Sequence, residues 1–177
     1  MAGQSMKRAK RLALCSLFCA LSVVILYLGS LIGVLDLSAC ALTCFLGVIL
    51  VIEYGGFWPW LVYIATGVLA LLLLPDKSCA LLYVTLAGAY PMVKQMLEKT
   101  HLPGALVWVL KLLIFNVALA VVELVSFFVL NIEVEGIWLE VALFVMGNVA
   151  FVLLDIVLTR FIVIYYRRLR PRLRFFK

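Results

Sequence analysis

Two long apolar segments of the sequence carry polar side chains at the same spacing. Asn116 and Glu123 interrupt one segment, and Asn148 and Asp155 interrupt a later one. The members of each pair are seven residues apart, so they lie nearly on one face of a helix. An amide and a carboxylate on such a face suit two tasks. They can bind a polar ligand, or they can form hydrogen bonds between helices.

The composition decides which solvent surrounds these residues. Apolar residues make up 67% of the 177-residue chain and charged residues 14%, against about 45–50% and about 25% in soluble domains. This composition predicts an integral membrane protein. Ionisable groups in hydrocarbon are costly and usually face a bundle interior or a cavity, so the polar residues above are candidates for function.

Apolar runs between turn-forming residues predict an all-α bundle of six transmembrane helices. The predicted spans lie near 12–34, 37–53, 57–74, 78–97, 104–130 and 137–165. Because each span needs about 20 residues, six spans use most of the chain, which is read as a single transmembrane domain over residues 1–177. Lys77 is the one basic residue in the expected outer loops. Loops rich in Lys and Arg stay inside, so both termini are predicted to be cytoplasmic.

Lys111 has a candidate partner in the last span. Lys111 and Asp155 fall at similar depths from the cytoplasmic ends of two antiparallel spans, given a rise of about 1.5 Å per residue. We therefore expect an ion pair that neutralises both charges and has a structural role.

Glu123 has no basic residue at a matching depth in another span. An unpaired carboxylate in the membrane must be protonated, reach water or meet a ligand. We therefore predict a ligand-binding set around Glu123, with Glu140 near the outer end of span 6 and Trp138 as an aromatic wall. Asn116 and Asn148 complete this set, although amides at mid-membrane also bond to each other across helices.

Other chemistries find little support in the sequence. The cysteines that could suggest a metal site are Cys15, Cys19, Cys40, Cys44 and Cys79. The first two and the next two are predicted at opposite ends of their spans, so we expect no metal site and no cofactor. Standard catalytic signatures are missing, which predicts a protein that is not an enzyme. The net charge of +6 is expected to place the basic termini on anionic lipid, with no role in nucleic-acid binding.

Helix packing leaves two further signals. Pro91 removes a backbone donor within span 4, so we expect a bend there. Small residues on span 1 let another helix approach closely. They are Ala9, Ala13, Ser16 and Ala20.

Six short spans, both termini inside, and a basic start that runs into ALCSLFCALSVV resemble the substrate-binding S component of an energy-coupling-factor vitamin transporter. The resemblance implies a multi-pass protein of the bacterial plasma membrane that binds a small micronutrient in its outer half. It also implies that span 1 contacts a transmembrane coupling subunit driven by two ATPase subunits. The family's Ala-x-x-x-Ala contact pattern matches Ala9 and Ala13, and farther along Ser16 and Ala20 stand in for it.

Two other functions fit the same size and topology. One is a non-catalytic scaffold similar to the small multispanning subunit of the bacterial rod-shape complex, in which the polar residues mediate protein contacts. The other is a membrane enzyme, for which Lys111, Asp155 and Arg160 are the only candidate cluster.

Overall fold

The computed structural model of the protein describes the backbone of residues 2–33, 35–100, 103–130 and 137–169. Within these ranges, the side chains of residues 2–7, 127, 129–130, 137, 139–140 and 169 are not described. The predicted turn at 131–136, His101 and the basic residues from Arg170 onward therefore lie outside the described residues.

All regular structure in the described ranges is helical, as the composition predicts. The helices are α1 (Ala2–Ile32), α2 (Asp36–Glu53), α3 (Trp58–Leu73), α4 (Lys77–Leu82), α5 (Tyr90–Lys99), α6 (Gly104–Leu130) and α7 (Ile137–Ile164). Two π-helical turns, Tyr83–Ala87 and Tyr165–Leu169, follow α4 and α7.

Within the described ranges, four helical stretches are long and apolar enough to cross a membrane. They are Arg8–Ile32, Asp36–Glu53, Gly104–Ser126 and Val141–Arg168. The third predicted span corresponds to α3, an apolar helix of 16 residues. The fourth corresponds to α4, the first π turn and α5, so it is helical but broken. The chain is thus an all-helical protein with the features of a membrane bundle.

The contacts of the chain divide it into two compact units, Met1–Lys99 and Thr100–Lys177. The sequence suggested one transmembrane domain and showed no internal boundary. Pro103, which has no backbone N–H to donate, directly precedes α6. The first unit contains α1 to α5, and the second is the helical hairpin of α6 and α7.

The core of the first unit forms where α1 packs on α2 and α3. Cys15, Cys19, Leu50 and Val62 are buried together there, and Phe18, Tyr54, Trp58 and Ala65 pack around them. Small residues set the helix separations, because a side chain on Gly29 would collide with the Cβ of Ala39 on α2. Burial of these apolar groups contributes roughly 25 cal/mol per Å² in water, whereas in lipid close packing takes over that role.

Specific residues stabilise two of the connections between the helices of this unit. Gly55 and Gly56, at φ values of 55° and 58°, form the turn from α2 to α3. Glycine adopts this left-handed conformation without a steric penalty. At the other end of α3, Lys77 Nζ donates to the carbonyl oxygens of Leu71 and Leu74, at 2.9 and 2.8 Å. These bonds satisfy carbonyls that a helix end leaves free.

Candidate functional site

An ion pair joins the two helices of the hairpin. Lys111 Nζ lies 3.0 Å from Asp155 Oδ2 and 3.2 Å from Oδ1. The two residues are 5% and 1% exposed, so both charges are buried and compensate each other. The Lys111 ammonium also lies 5.5 Å from the centroid of the Trp108 ring, within the range of a cation–π interaction. The structure thus brings together the two residues that were matched by depth.

A second polar pair lies farther along the same interface. Asn116 Nδ2 donates to Asn148 Oδ1 at 3.1 Å, and Asn148 Nδ2 donates back to Asn116 Oδ1 at 3.0 Å. Each amide also donates to a carbonyl one turn earlier on its own helix, those of Leu112 and Phe144. All four amide N–H groups are therefore used. A ligand that accepts hydrogen bonds could therefore reach these amide N–H groups only after this pair had opened.

Apolar contacts fill the interface around the two polar pairs. The rings of Phe115 and Phe151 stack with centroids 4.3 Å apart. Gly147 is close enough to α6 that an added Cβ would lie 3.3 Å from Leu119 Cδ1. The polar stripe, defined as Lys111, Asn116, Asn148 and Asp155, is thus embedded in a packed helix–helix contact.

The structure does not join Glu123 to this stripe. Its side chain is exposed, and no described residue makes a hydrogen bond or ion pair with it. Trp138 is 89% exposed, so it packs against little of the described chain. The Glu140 side chain lies outside the described residues. The predicted ligand-binding set is therefore divided into an internally paired part and an exposed part.

The cysteines serve as small buried groups within the first unit. All five are buried as free thiols. Thr66 Oγ1 donates to Cys19 Sγ at 3.3 Å, and Cys44 Sγ donates to the Ala87 carbonyl at 2.9 Å. Across the described ranges, no group of three or more His, Cys, Asp or Glu residues is placed to hold a metal ion. The thiols instead act in packing and in weak hydrogen bonds.

The broken fourth segment carries a feature that the sequence did not reveal. Gly88 N–H donates to the Tyr83 carbonyl at 2.8 Å, a wide π-helical bond, before the chain enters α5. The Val84 carbonyl accepts the Tyr63 hydroxyl at 2.6 Å. Pro91 has no N–H that could bond to the Ala87 carbonyl one turn earlier. That carbonyl instead accepts a hydrogen bond from the Cys44 thiol. Neighbouring helices thus satisfy the carbonyls released by the break, and no buried carbonyl is left without a donor at these two positions.

A small cavity lies beside this π turn. Its lining comes from α1, α2, α3, the π turn and α5, and it includes Ser22, Thr43, Tyr63, Tyr83, Pro91 and Met92. Space for the centre of a water-sized sphere amounts to about 20 Å³, just above the roughly 10–15 Å³ that one water molecule needs. The buried Ser22 hydroxyl makes no hydrogen bond to another described residue. The cavity can therefore accept a small polar group.

The small residues predicted for partner contact share one side of α1. Ala9, Ala13, Ser16 and Ala20 are all exposed. Ser16 donates its hydroxyl to the Ala13 carbonyl at 3.0 Å, so it presents little polarity to its surroundings. This side of α1 is open to lipid or to another helix.

Comparisons with protein-family models, with curated protein sequences and with solved structures found no match to this chain. The class of the protein therefore follows from its own features, which are those of an all-helical membrane protein.

Proposed function

We propose that the chain is the substrate-binding membrane subunit of an importer of the energy-coupling-factor type. It crosses the bacterial plasma membrane six times with both termini in the cytoplasm, captures a small micronutrient from outside, and passes it to a separate ATP-driven coupling module. Two elements supply the crossings beyond the four long apolar helices. They are α3 and the broken α4–α5 segment.

The cavity beside the π turn is the observation that supports ligand capture most directly. Irregular backbone within membrane helices is tolerated where it lines a cavity, and π turns are frequent at functional sites. Ser22, Thr43, Tyr63 and Tyr83 line this cavity together with apolar residues, and a mixture of polar and apolar residues is typical of small-molecule sites.

Capture of a vitamin requires that this cavity enlarge. Ligand pockets usually measure about 300–1,000 Å³, whereas the cavity has room for about one water molecule. The π turn and α5 are the part of the unit best suited to move, because the helix is already interrupted between Leu82 and Tyr90. In this account ligand binding stabilises a conformation in which they have shifted outward.

Thermal unfolding of the purified protein with a panel of water-soluble vitamins tests this proposal. One vitamin should raise the unfolding temperature of the wild type and of Ser16→Leu, which changes the exposed side of α1. The same vitamin should have no effect on Ser22→Leu, which fills the cavity. Ser22→Ala removes only the hydroxyl group and does not fill the cavity. It takes the place of Ser22→Leu in this test if Ser22→Leu does not fold. A panel without any effect, or an effect that survives both Ser22 changes, would overturn the proposal.

The polar stripe of the hairpin favours a second candidate, a non-catalytic scaffold. Its charges and amides satisfy one another, so they hold helices together and offer no free donor to a ligand. A scaffold such as the small multispanning subunit of the rod-shape complex needs only that stability. The two functions differ in the partners they require, so identifying the proteins that co-purify with the chain from its native cells separates them.

A further inference from the structure

Arg160 is an exposed cation on an otherwise apolar part of α7. It lies within the apolar stretch Val141–Arg168. Its side chain is exposed, and Val157 and Ile164, one turn to either side, are each 50% exposed. The guanidinium therefore emerges among side chains that face the surroundings of the hairpin.

The described acids of the hairpin do not neutralise this charge. Asp155 is 1% exposed and already paired with Lys111. Asp155 also lies five residues before Arg160, so the two side chains point about 140° apart around the helix axis. Glu123 is farther away. The helices α6 and α7 are antiparallel and Lys111 is level with Asp155, so Glu123 is level with residue 143. That leaves roughly 25 Å between the levels of Glu123 and Arg160.

Aromatic residues indicate the depth of Arg160 in the membrane. The same pairing places Trp108 of α6 opposite residue 158, about 3 Å from the level of Arg160. Tyr166, which is 48% exposed, follows about one and a half turns later. Trp and Tyr side chains concentrate at the boundary between hydrocarbon and headgroups. Arg160 thus lies at the depth where lipid phosphates begin, and the exposed Arg167 and Arg168 lie beyond it.

We propose that Arg160, together with Arg167 and Arg168, forms a binding site for the headgroup of an anionic phospholipid on the side of α7. A guanidinium facing hydrocarbon is costly, and it gains most by reaching a phosphate, which it binds through two parallel hydrogen bonds. This site differs from a diffuse attraction between the basic termini and the membrane surface, because one laterally exposed residue carries it. It depends on membrane insertion and not on ligand capture.

Native mass spectrometry of the full chain in mild detergent tests the site with phosphatidylglycerol and phosphatidylcholine as probes. The wild type should retain phosphatidylglycerol in preference to phosphatidylcholine, and millimolar inorganic phosphate should not displace it. Arg160→Gln should weaken retention at least about tenfold, as expected for the loss of a charge-assisted pair of hydrogen bonds. Arg160→Lys should have an intermediate effect, because it keeps the charge but not the fork of donors.

Arg8→Gln is the matched control, since it also removes one exposed positive charge. It should change retention by less than twofold. Equal weakening by Arg8→Gln and Arg160→Gln would show a diffuse attraction and overturn the proposal, and so would equal retention of the two lipids. Arg160→Lys keeps the test decisive if the glutamine variant does not fold.

Discussion

At the scale of single residues, the buried ion pair determines how the hairpin responds to mutation. Replacing Asp155 with Leu leaves the Lys111 ammonium buried without its partner. We expect this change to lower the free energy of unfolding by about 3–5 kcal/mol, the usual cost of breaking a buried pair. The double variant Lys111→Leu/Asp155→Leu should recover most of the loss, because it leaves no stranded charge.

Unfolding by a denaturing detergent, followed by circular dichroism, measures these differences. The losses of unfolding free energy in Lys111→Leu and in Asp155→Leu are added, and their sum is compared with the loss in the double variant, as in a double-mutant cycle. If the loss in the double variant equalled that sum, the two residues would act independently and the pair would not stabilise the hairpin.

The sequence made the ion pair predictable but hid the carbonyl contacts of the π turn. Charged residues are rare in an apolar chain, so matching the depths of Lys111 and Asp155 left few alternatives. The bond from the Cys44 thiol to the Ala87 carbonyl had no such signal, because cysteine in a helix is usually an ordinary packing residue. Spacing likewise placed Glu123 on the face of Asn116, but it could not show that the α6–α7 contact would leave it exposed.

At the scale of the elements, Gly88 determines how closely the broken segment packs on α3. An added Cβ would lie 2.5 Å from Tyr63 Cδ2 and 2.8 Å from Tyr83 Cζ. Gly88→Ala should therefore push the Tyr63 ring away from the π turn and lower the free energy of unfolding by about 1–3 kcal/mol, as overpacking does. Detergent unfolding measures the change.

Gly104→Ala provides the control for this prediction. A Cβ at Gly104, the first residue of α6, would meet no atom within 4 Å. This variant should be neutral or slightly more stable, because Ala favours helices over Gly by about 1 kcal/mol. Equal stability of the Gly88 and Gly104 variants would contradict the close packing at the π turn.

Hydropathy predicted most of the helices but not the interruption of the fourth span. Runs of apolar residues end at turn-forming residues, so the boundaries of α2 and α3 differ from the predicted spans by one residue at most. Pro91 predicted a bend, whereas the chain responds with a π turn several residues earlier. That response depends on Tyr63 and Cys44, which lie far away in sequence and satisfy the exposed carbonyls.

At the scale of the whole molecule, the proposed topology makes a prediction for every loop. Six crossings with both termini in the cytoplasm place Lys77 outside and Lys99 inside. Reporter fusions that are active on one side only should therefore give the same result at the two termini and at Lys99, and the opposite result at Lys77. Termini on opposite sides would rule out an even number of crossings.

Composition was enough to predict a helical membrane protein, but not its division into two compact units. Long apolar runs lie on both sides of the boundary at Lys99, and contacts between distant residues decide where a unit ends. The sequence does not predict the partners of the molecule either, because small exposed residues on α1 suit contact with lipid as well as contact with another helix.

The central claim is that this subunit works with an ATP-driven coupling module. Affinity purification of the tagged protein from its native cells in mild detergent, with partners identified by mass spectrometry, tests it most directly. We predict recovery of one transmembrane coupling subunit and two ATPases, lost in Ala13→Leu and Ala20→Leu on α1 but kept in Ala120→Leu on the exposed side of α6. Recovery of cell-wall elongation proteins without ATPases would contradict the claim and identify a scaffold.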